Sequence, residues 1–132
     1  MGKKSEKGLI AKKIGMTRIV SEDGKIIPVT LLQVPTQRVT KVLSDERDGY
    51  EGYQVGYYEK SEKNLTKPDV GRLRKIGVSE NFSKFVEFRT EGAAEDKKIG
   101  DAVTAESFKG VKTLNITGIT KGRGFQGAVK RW

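Results

Sequence analysis

The sequence predicts a mainly β fold, in the form of a small β barrel that carries one short helix. Three observations support this fold class. Apolar and β-branched runs recur at strand length, glycine-containing turns separate them, and only one segment has helical spacing. A chain of 132 residues suits a single domain. Six or seven short strands at such regular spacing are typical of a barrel.

The first predicted element is a β-hairpin made of residues 9–20 and 26–34. Asp23-Gly24 lies between the two runs, and this dipeptide favours a tight hairpin turn. Pro28 has no N–H group to donate to a strand ladder, so we expect it at a sheet edge or at a bulge.

The later strands are predicted from alternation and from β-branched or aromatic content. They cover residues 38–43, 53–58, 82–88 and 111–120, with polar loops at 60–67 and 91–98, and residues 99–103 are expected to form a short turn-and-strand unit. Val39 is expected on the buried face, with Leu43 as a second candidate, and a turn is expected at Asp48-Gly49. A tyrosine cluster allows two interpretations, base stacking or packing on a barrel surface, of which packing is favoured: Tyr50, Tyr53, Tyr57 and Tyr58.

One helix is predicted from about residue 68 to residue 76. Pro68 suits the first helical position, and Gly77 can end the helix. Its apolar residues recur at helical spacing: Val70, Leu73 and Ile76. Its cations favour the C-terminal end of the helix dipole and face either solvent or RNA: Arg72, Arg74 and Lys75.

The charge of the chain is concentrated at its two ends. The net charge is +9, and the isoelectric point is about 9.8. Residues 1–20 carry a net +5, residues 112–132 carry another +5 without any acid, and residues 21–111 carry −1. Residues 1–8 are expected to form a flexible basic arm. A near-neutral body with basic ends indicates a domain that docks on a polyanion.

The residue content argues against an enzyme. The chain has no cysteine and no histidine, which excludes disulfides, thiol nucleophiles, histidine bases and cysteine or histidine metal sites. Its carboxylates form no catalytic motif. We therefore expect no catalytic residue, metal, cofactor or small-molecule substrate. No apolar run reaches the length of a membrane span and no secretory signal is present, so an intracellular protein without a membrane partner is expected.

The last twelve residues, KGRGFQGAVKRW, are the most informative segment for function. They combine three glycines with four cations, a phenylalanine and a tryptophan, and they contain no acid. Glycines allow close backbone approach, cations neutralise phosphates, and aromatic rings stack on bases, so the segment suits folded RNA. Gly122, Gly124 and Gly127 also match a dinucleotide-binding pattern. That interpretation is rejected because no helix pattern follows and the chain holds no later acid for a ribose.

Eight ordered segments carry a resemblance to a known family. They are GLIAKKIGMTRIV at 8–20, DGKIIPVTLLQV at 23–34, RVTKV at 38–42, DGYEGYQVGY at 48–57, NLTKPDVGRLRKIGV at 64–78, EFR at 87–89, IGDAV at 99–103 and ITGITKGRGFQGAVKRW at 116–132. In their order and spacing they resemble large-subunit ribosomal protein family number three, of bacterial or organellar type. The rival is another basic β-barrel nucleic-acid binder, which would share the composition but not these segments.

The resemblance implies a fold, a role and a place in the cell. Members have a translation-factor-like β barrel and an extension that reaches toward the peptidyl transferase centre. They bind 23S-type rRNA early in assembly, beside neighbouring ribosomal proteins. The chain would then lie in a cytoplasmic or organellar ribosome, with its barrel at 9–120 and the extension root at 121–132. Members continue beyond the position of Trp132, so we expect an incomplete barrel with an open edge.

The predicted RNA-binding residues lie mostly at the two basic ends. They are Lys3, Lys4, Lys7, Lys12, Lys13, Arg18, Arg38, Lys121, Gly122, Arg123, Gly124, Phe125, Gly127, Lys130, Arg131 and Trp132. Trp132 is expected to pack against rRNA or a neighbouring protein, and the alternative is that it folds back on its own strands.

Overall fold

Two antiparallel sheets contain the strands of this computed structural model, which describes residues 7–90 and 97–131. The first sheet is a hairpin of β1 (Lys12–Val20) and β2 (Ile26–Gln33). The second has the order β3 (Gln37–Leu43), β4 (Gly52–Glu59), β5 (Phe82–Arg89). The helices are α1 (Asp45–Asp48), α2 (Lys67–Lys75) and α3 (Ala128–Arg131), and single 3-10 turns occupy Glu62–Asn64 and Ala105–Phe108. The mainly β prediction is confirmed.

The turn of the hairpin forms where the sequence predicts it. Gly24 adopts a φ of 75°, a left-handed conformation that glycine tolerates. Its N–H donates to the Ser21 carbonyl at 2.9 Å, and the Ser21 N–H donates to the Lys25 carbonyl at 2.9 Å. Pro28 lies opposite Arg18 in a two-stranded sheet, where both strands are edges. The expected edge position is therefore confirmed.

The three-stranded sheet buries a hydrophobic cluster on each face. On one face Val39, Tyr53 and Val55 pack with Val103, flanked by Leu9. This arrangement confirms the buried side predicted for Val39. The sheet is covered there by the chain that precedes β1 and by the segment that leads to the second 3-10 turn.

The opposite face of the same sheet is covered by α2. Leu73, Val78 and Phe82 form its cluster. Gly56 makes room for it, because a Cβ atom at that position would lie 2.7 Å from the Phe82 ring. The predicted helix is confirmed to within one residue, and Gly77 ends it with a φ of 75°.

The strand predicted at 111–120 and the barrel closure are not found in the described part of the chain, whereas the turn-and-strand unit predicted at 99–103 pairs with β3 at one position. Residues 99–103 add to β3 through a single bridge, Arg38 to Ala102, supported by the Val103 N–H on the Gln37 carbonyl at 3.0 Å. The predicted strand at 111–120 is wrong, since that segment has no strand partner. Alternation makes a strand only where another strand supplies its hydrogen bonds, and the two sheets observed do not join. No closed barrel forms within residues 7–90 and 97–131.

The Asp48-Gly49 turn takes a different local form. Asp45–Asp48 form one turn of helix, and Gly49 ends it in the left-handed conformation at a φ of 76°. Most of the loop predicted at 91–98 lies outside the described residues, as does most of the predicted basic arm.

Candidate nucleic-acid interface

The chain that leads into β1 is anchored on the second sheet at Gly8. Its backbone N–H donates to the Tyr53 hydroxyl oxygen at 3.0 Å in a buried position. A Cβ atom at Gly8 would lie 2.0 Å from the Phe88 ring, so only glycine fits there. The sequence predicts that Gly8 lies in a flexible basic arm, yet it is held by a buried hydrogen bond to Tyr53 and by contact with the Phe88 ring.

A second anchor lies two residues further along. The buried Gln37 side chain accepts a hydrogen bond from the Ile10 N–H at 3.0 Å and donates one to the Ile10 carbonyl at 2.7 Å. Such paired bonds imitate a strand partner and fix the direction in which the chain enters β1. Lys7 is exposed directly before this anchored stretch, while Lys3 and Lys4 lie outside the described residues.

A β-bulge decides how the cations of β1 are arranged. The register shifts between Lys13 and Gly15, which places Lys13 opposite Leu32 and Arg18 opposite Pro28. Leu32 and Pro28 share one face of β2 because alternate strand residues face the same side. The bulge therefore brings Lys13 and Arg18 to one side of the hairpin, while Lys12 belongs to the other.

Arg38 has partners within the domain. Its Nε donates to the Glu80 carboxylate, and its Nη1 donates to the Gly100 carbonyl at 3.0 Å. Burial alone would raise the pKa of Glu80, but hydrogen bonds from Arg38, a backbone N–H and Ser79 together hold it below its ordinary value. Arg38 thus joins β3, the chain before β5 and the 99–103 segment.

Other cations of the body are also paired. Lys41 Nζ lies 2.6 Å from Asp48 and lowers the pKa of that carboxyl group, and Arg74 lies 2.7 Å from Glu62. Arg72 lies over the Phe85 ring at 4.1 Å. By contrast, the cations of the two ends form no ion pair with any described residue: Lys12, Lys13, Arg18, Lys121, Arg123 and Lys130. The body also exposes cations without an ion pair to any described residue, such as Lys63 and Lys75, but its acids offset them to a net charge of −1, so the excess positive charge lies at the ends.

The C-terminal segment extends from the domain without packing on it. Residues 111–127 have no regular secondary structure, and Phe125 is 98% exposed. Gly124 has a φ of 71°, whereas a Cβ atom at Gly122 or Gly127 would meet nothing within 4 Å. Lys121, Arg123 and Lys130 are exposed along it. Arg131 ends α3 with a side chain that is not described, and Trp132 lies outside the described residues.

The tyrosine cluster follows the packing interpretation in part. Tyr53 is buried in the core and packs on Phe88 at a centroid distance of 5.6 Å, and its burial raises the pKa of its hydroxyl group. The Tyr50 hydroxyl donates to Glu87 at 2.7 Å, which raises the pKa of Tyr50. Tyr58 remains exposed.

The described residues offer no site for a metal or a dinucleotide. Residues 7–90 and 97–131 contain no cluster of three acidic side chains placed to hold a metal ion. The Gly122, Gly124 and Gly127 pattern follows an unpaired segment and precedes a four-residue helix, so the strand and helix of a dinucleotide fold are missing there. Within the same ranges, no helix is long and apolar enough to cross a membrane.

The hairpin exposes apolar side chains on both faces. Met16, Val20, Ile26 and Leu32 are exposed on the face that carries Lys13 and Arg18. Alternation places Ile19, Ile27, Val29 and Leu31 on the opposite face, and all but the half-buried Val29 are exposed. Contiguous exposed apolar residues of this kind mark contact surfaces. We name the latter four residues the hairpin apolar face.

Replacing Ile27 and Leu31 together by lysine is expected to reduce binding of a hydrophobic fluorescent dye. The signal should fall by roughly a quarter, because two of the eight apolar side chains on the two faces of the hairpin are replaced. A Thr30→Lys variant, with its charge on the opposite face, is the matched control and should bind the dye like the unmodified chain. An equal fall in both variants would contradict the assignment of the faces.

Comparison with known proteins identifies the family. No family model matches the chain. It is 45% identical over 125 residues to large ribosomal subunit protein uL3 of Glaesserella parasuis serovar 5 (strain SH0165), an alignment that covers 95% of this chain and 59% of that relative. It is 44% identical over 125 residues to the protein of the same name from Haemophilus influenzae (strain PittGG), with the same coverage. For Roseiflexus sp. (strain RS-1) the identity is 44% over 124 residues, covering 94% of this chain and 58% of the relative.

The chain thus spans a little under three fifths of the length of the relatives it matches. The similarity runs through the hairpin and both clusters of the second sheet, because it covers 125 of the 132 residues. The chain belongs to the family of large ribosomal subunit protein uL3.

Proposed function

We propose that this chain is a non-enzymatic structural component of the large ribosomal subunit that binds 23S-type rRNA. The observation that carries the proposal is the division of its charges. Lys12, Lys13, Arg18, Lys121, Arg123 and Lys130 have no acidic partner among the described residues, while the acids of the body offset its cations to a net charge of −1. Unpaired surface cations are the groups that replace counterions on a phosphate backbone.

The two ends have different mechanical roles in this proposal. The anchors at Gly8 and Gln37 fix the base of the N-terminal cations, so Lys13 and Arg18 meet the RNA from a rigid hairpin. The segment 121–132 is instead an extended root that becomes ordered against RNA, where its glycines allow close approach. In this proposal Arg38 contacts RNA only with the part of its side chain that remains exposed, because its guanidinium already donates hydrogen bonds to Glu80 and Gly100.

The wider role follows from the family. In this proposal the chain joins the subunit early in assembly, contacts neighbouring ribosomal proteins and supports the region leading to the peptidyl transferase centre. It requires no cofactor and acts in a cytoplasmic or organellar ribosome. We also propose that the chain is part of the closed β barrel of the family. The hairpin apolar face is then the surface against which further strands would pack to close that barrel.

Salt dependence of rRNA binding tests this function. If about six phosphates are neutralised, a plot of log K against log salt should have a slope on the order of −4 to −5. The measurement is filter binding of the chain to a bacterial large-subunit rRNA transcript at several salt concentrations. A slope near zero would contradict electrostatic docking. The rival function, a general basic nucleic-acid binder, predicts equal affinity for an unrelated RNA of the same length.

A further inference from the structure

The backbone of Tyr58 is strained at an exposed position of β4. Its φ is 61°, and within residues 7–90 and 97–131 it is the one non-glycine residue with a positive φ. Left-handed geometry is unfavourable for a bulky side chain and persists where surrounding contacts impose it. One such contact is the Ser83 hydroxyl, which donates to the Tyr58 carbonyl at 3.1 Å.

The strained backbone presents an aromatic ring beside a cation. The Tyr58 side chain is 40% exposed, and Lys84 Nζ lies 5.5 Å from the centroid of its ring. The Tyr57 ring lies 5.5 Å away and is tilted by 41°, so it braces Tyr58 from one side. An aromatic ring held in this way loses little freedom when a planar ligand stacks on it.

A shallow depression of about 250 Å³ adjoins the ring. Its lining residues are Tyr58, Glu59, Lys60, Ser83 and Lys84. The Lys60 backbone N–H donates to the Asn81 carbonyl at 2.8 Å, which fixes that side of the depression. We name this surface the Tyr58 shelf.

The chemistry of the shelf matches one nucleotide of single-stranded RNA. Proteins hold unpaired bases by stacking them on aromatic rings, with cations tracking the phosphates. Tyr58 supplies the ring, and Lys60 and Lys84 supply two cations within a body of nearly neutral charge. The Glu59 carboxylate can accept a hydrogen bond from an exocyclic amino group of a base.

We propose that the Tyr58 shelf binds one unpaired nucleotide of large-subunit rRNA, with the base stacked on Tyr58 and a phosphate beside Lys60 and Lys84. The inference rests on the proposed function, since it adds a third contact to the two basic ends. It assigns an RNA contact to the centre of the chain, where net charge alone indicates none.

The test compares two substitutions by the salt dependence of binding to a bacterial large-subunit rRNA transcript. Tyr58→Gly removes the ring and also relieves the left-handed strain, so the variant should fold with an unchanged or higher Tm. Its affinity should fall about tenfold with the salt slope unchanged, because stacking releases no counterion. Lys84→Gln should instead make the slope shallower by about 0.7 to 0.9.

Conservative and matched controls complete the experiment. Tyr58→Phe keeps the ring and should bind like the unmodified chain, and Lys75→Gln removes a cation outside the shelf without changing the slope. Unchanged affinity of Tyr58→Gly, with steep salt dependence retained, would overturn the shelf and leave the proposed function standing. Absence of binding by the unmodified chain would overturn the proposed function, and the shelf with it.

Discussion

Replacing Arg123 and Lys130 together by glutamate is expected to weaken binding to large-subunit rRNA on the order of 100-fold. Both side chains are exposed on a segment that does not pack on the domain, and neither has an acidic partner among the described residues. The substitution removes two phosphate contacts and introduces two repulsive charges at the same places. Filter binding at one fixed salt concentration measures the change.

A second pair of cations provides the matched control. Lys63 and Lys75 are exposed in the body, one in the 3-10 turn Glu62–Asn64 and the other at the end of α2. Their joint replacement by glutamate changes the net charge by the same amount, so its effect reports long-range electrostatics alone. We expect a loss of only a few-fold. Equal losses in the two variants would mean that net charge, and not the 121–131 segment, determines affinity.

Leu73→Ala is expected to destabilise the domain by about 2–5 kcal/mol. Leu73 is fully buried where α2 covers the second sheet, and its removal leaves a cavity beside Phe82 and Val78. Loss of this magnitude is a large part of the stability of a small domain. Denaturant unfolding followed by circular dichroism gives the free energy of unfolding.

The same substitution at a second leucine separates burial from residue type. Leu114 is 52% exposed on the unpaired C-terminal segment, so Leu114→Ala should change the free energy of unfolding by less than about 0.5 kcal/mol. A comparable loss at Leu114 would show that residues 111–120 contribute to the folded core, which would restore the strand predicted there.

Local signals in the sequence predicted most elements of the fold. The Asp23-Gly24 turn, the α2 helix with Val70 and Leu73 inward, and the strands β1 to β5 follow from residue type and spacing over short windows. Such signals are reliable because turn geometry and helical periodicity depend on neighbours in sequence. The failure at 111–120 has the same origin, since alternation was present but a partner strand was not.

The candidate site likewise has features that the sequence predicts and features that only the tertiary structure shows. The sequence alone located the excess positive charge at the two ends, because the net charge of a segment is the sum over its residues. Other features depend on residues far apart in sequence, such as Gly8 on Tyr53 and Phe88, or Arg38 with Glu80 and Gly100. No short sequence pattern predicts those contacts. The prediction of Arg38 as an RNA contact rests on its residue type, and only the tertiary structure shows its bonds to Glu80 and Gly100.

The sequence by itself determined the family, the distribution of net charge and the local secondary structure. Each of these depends on short runs of neighbouring residues or on the sum of charges over a segment. Tertiary structure alone decided which cations are paired, which side chains share a face of the hairpin and which glycine must be glycine. The bulge before Gly15 and the left-handed Tyr58 belong to this second group. Each depends on strand register and on contacts that form only when distant segments meet, so no local pattern encodes them.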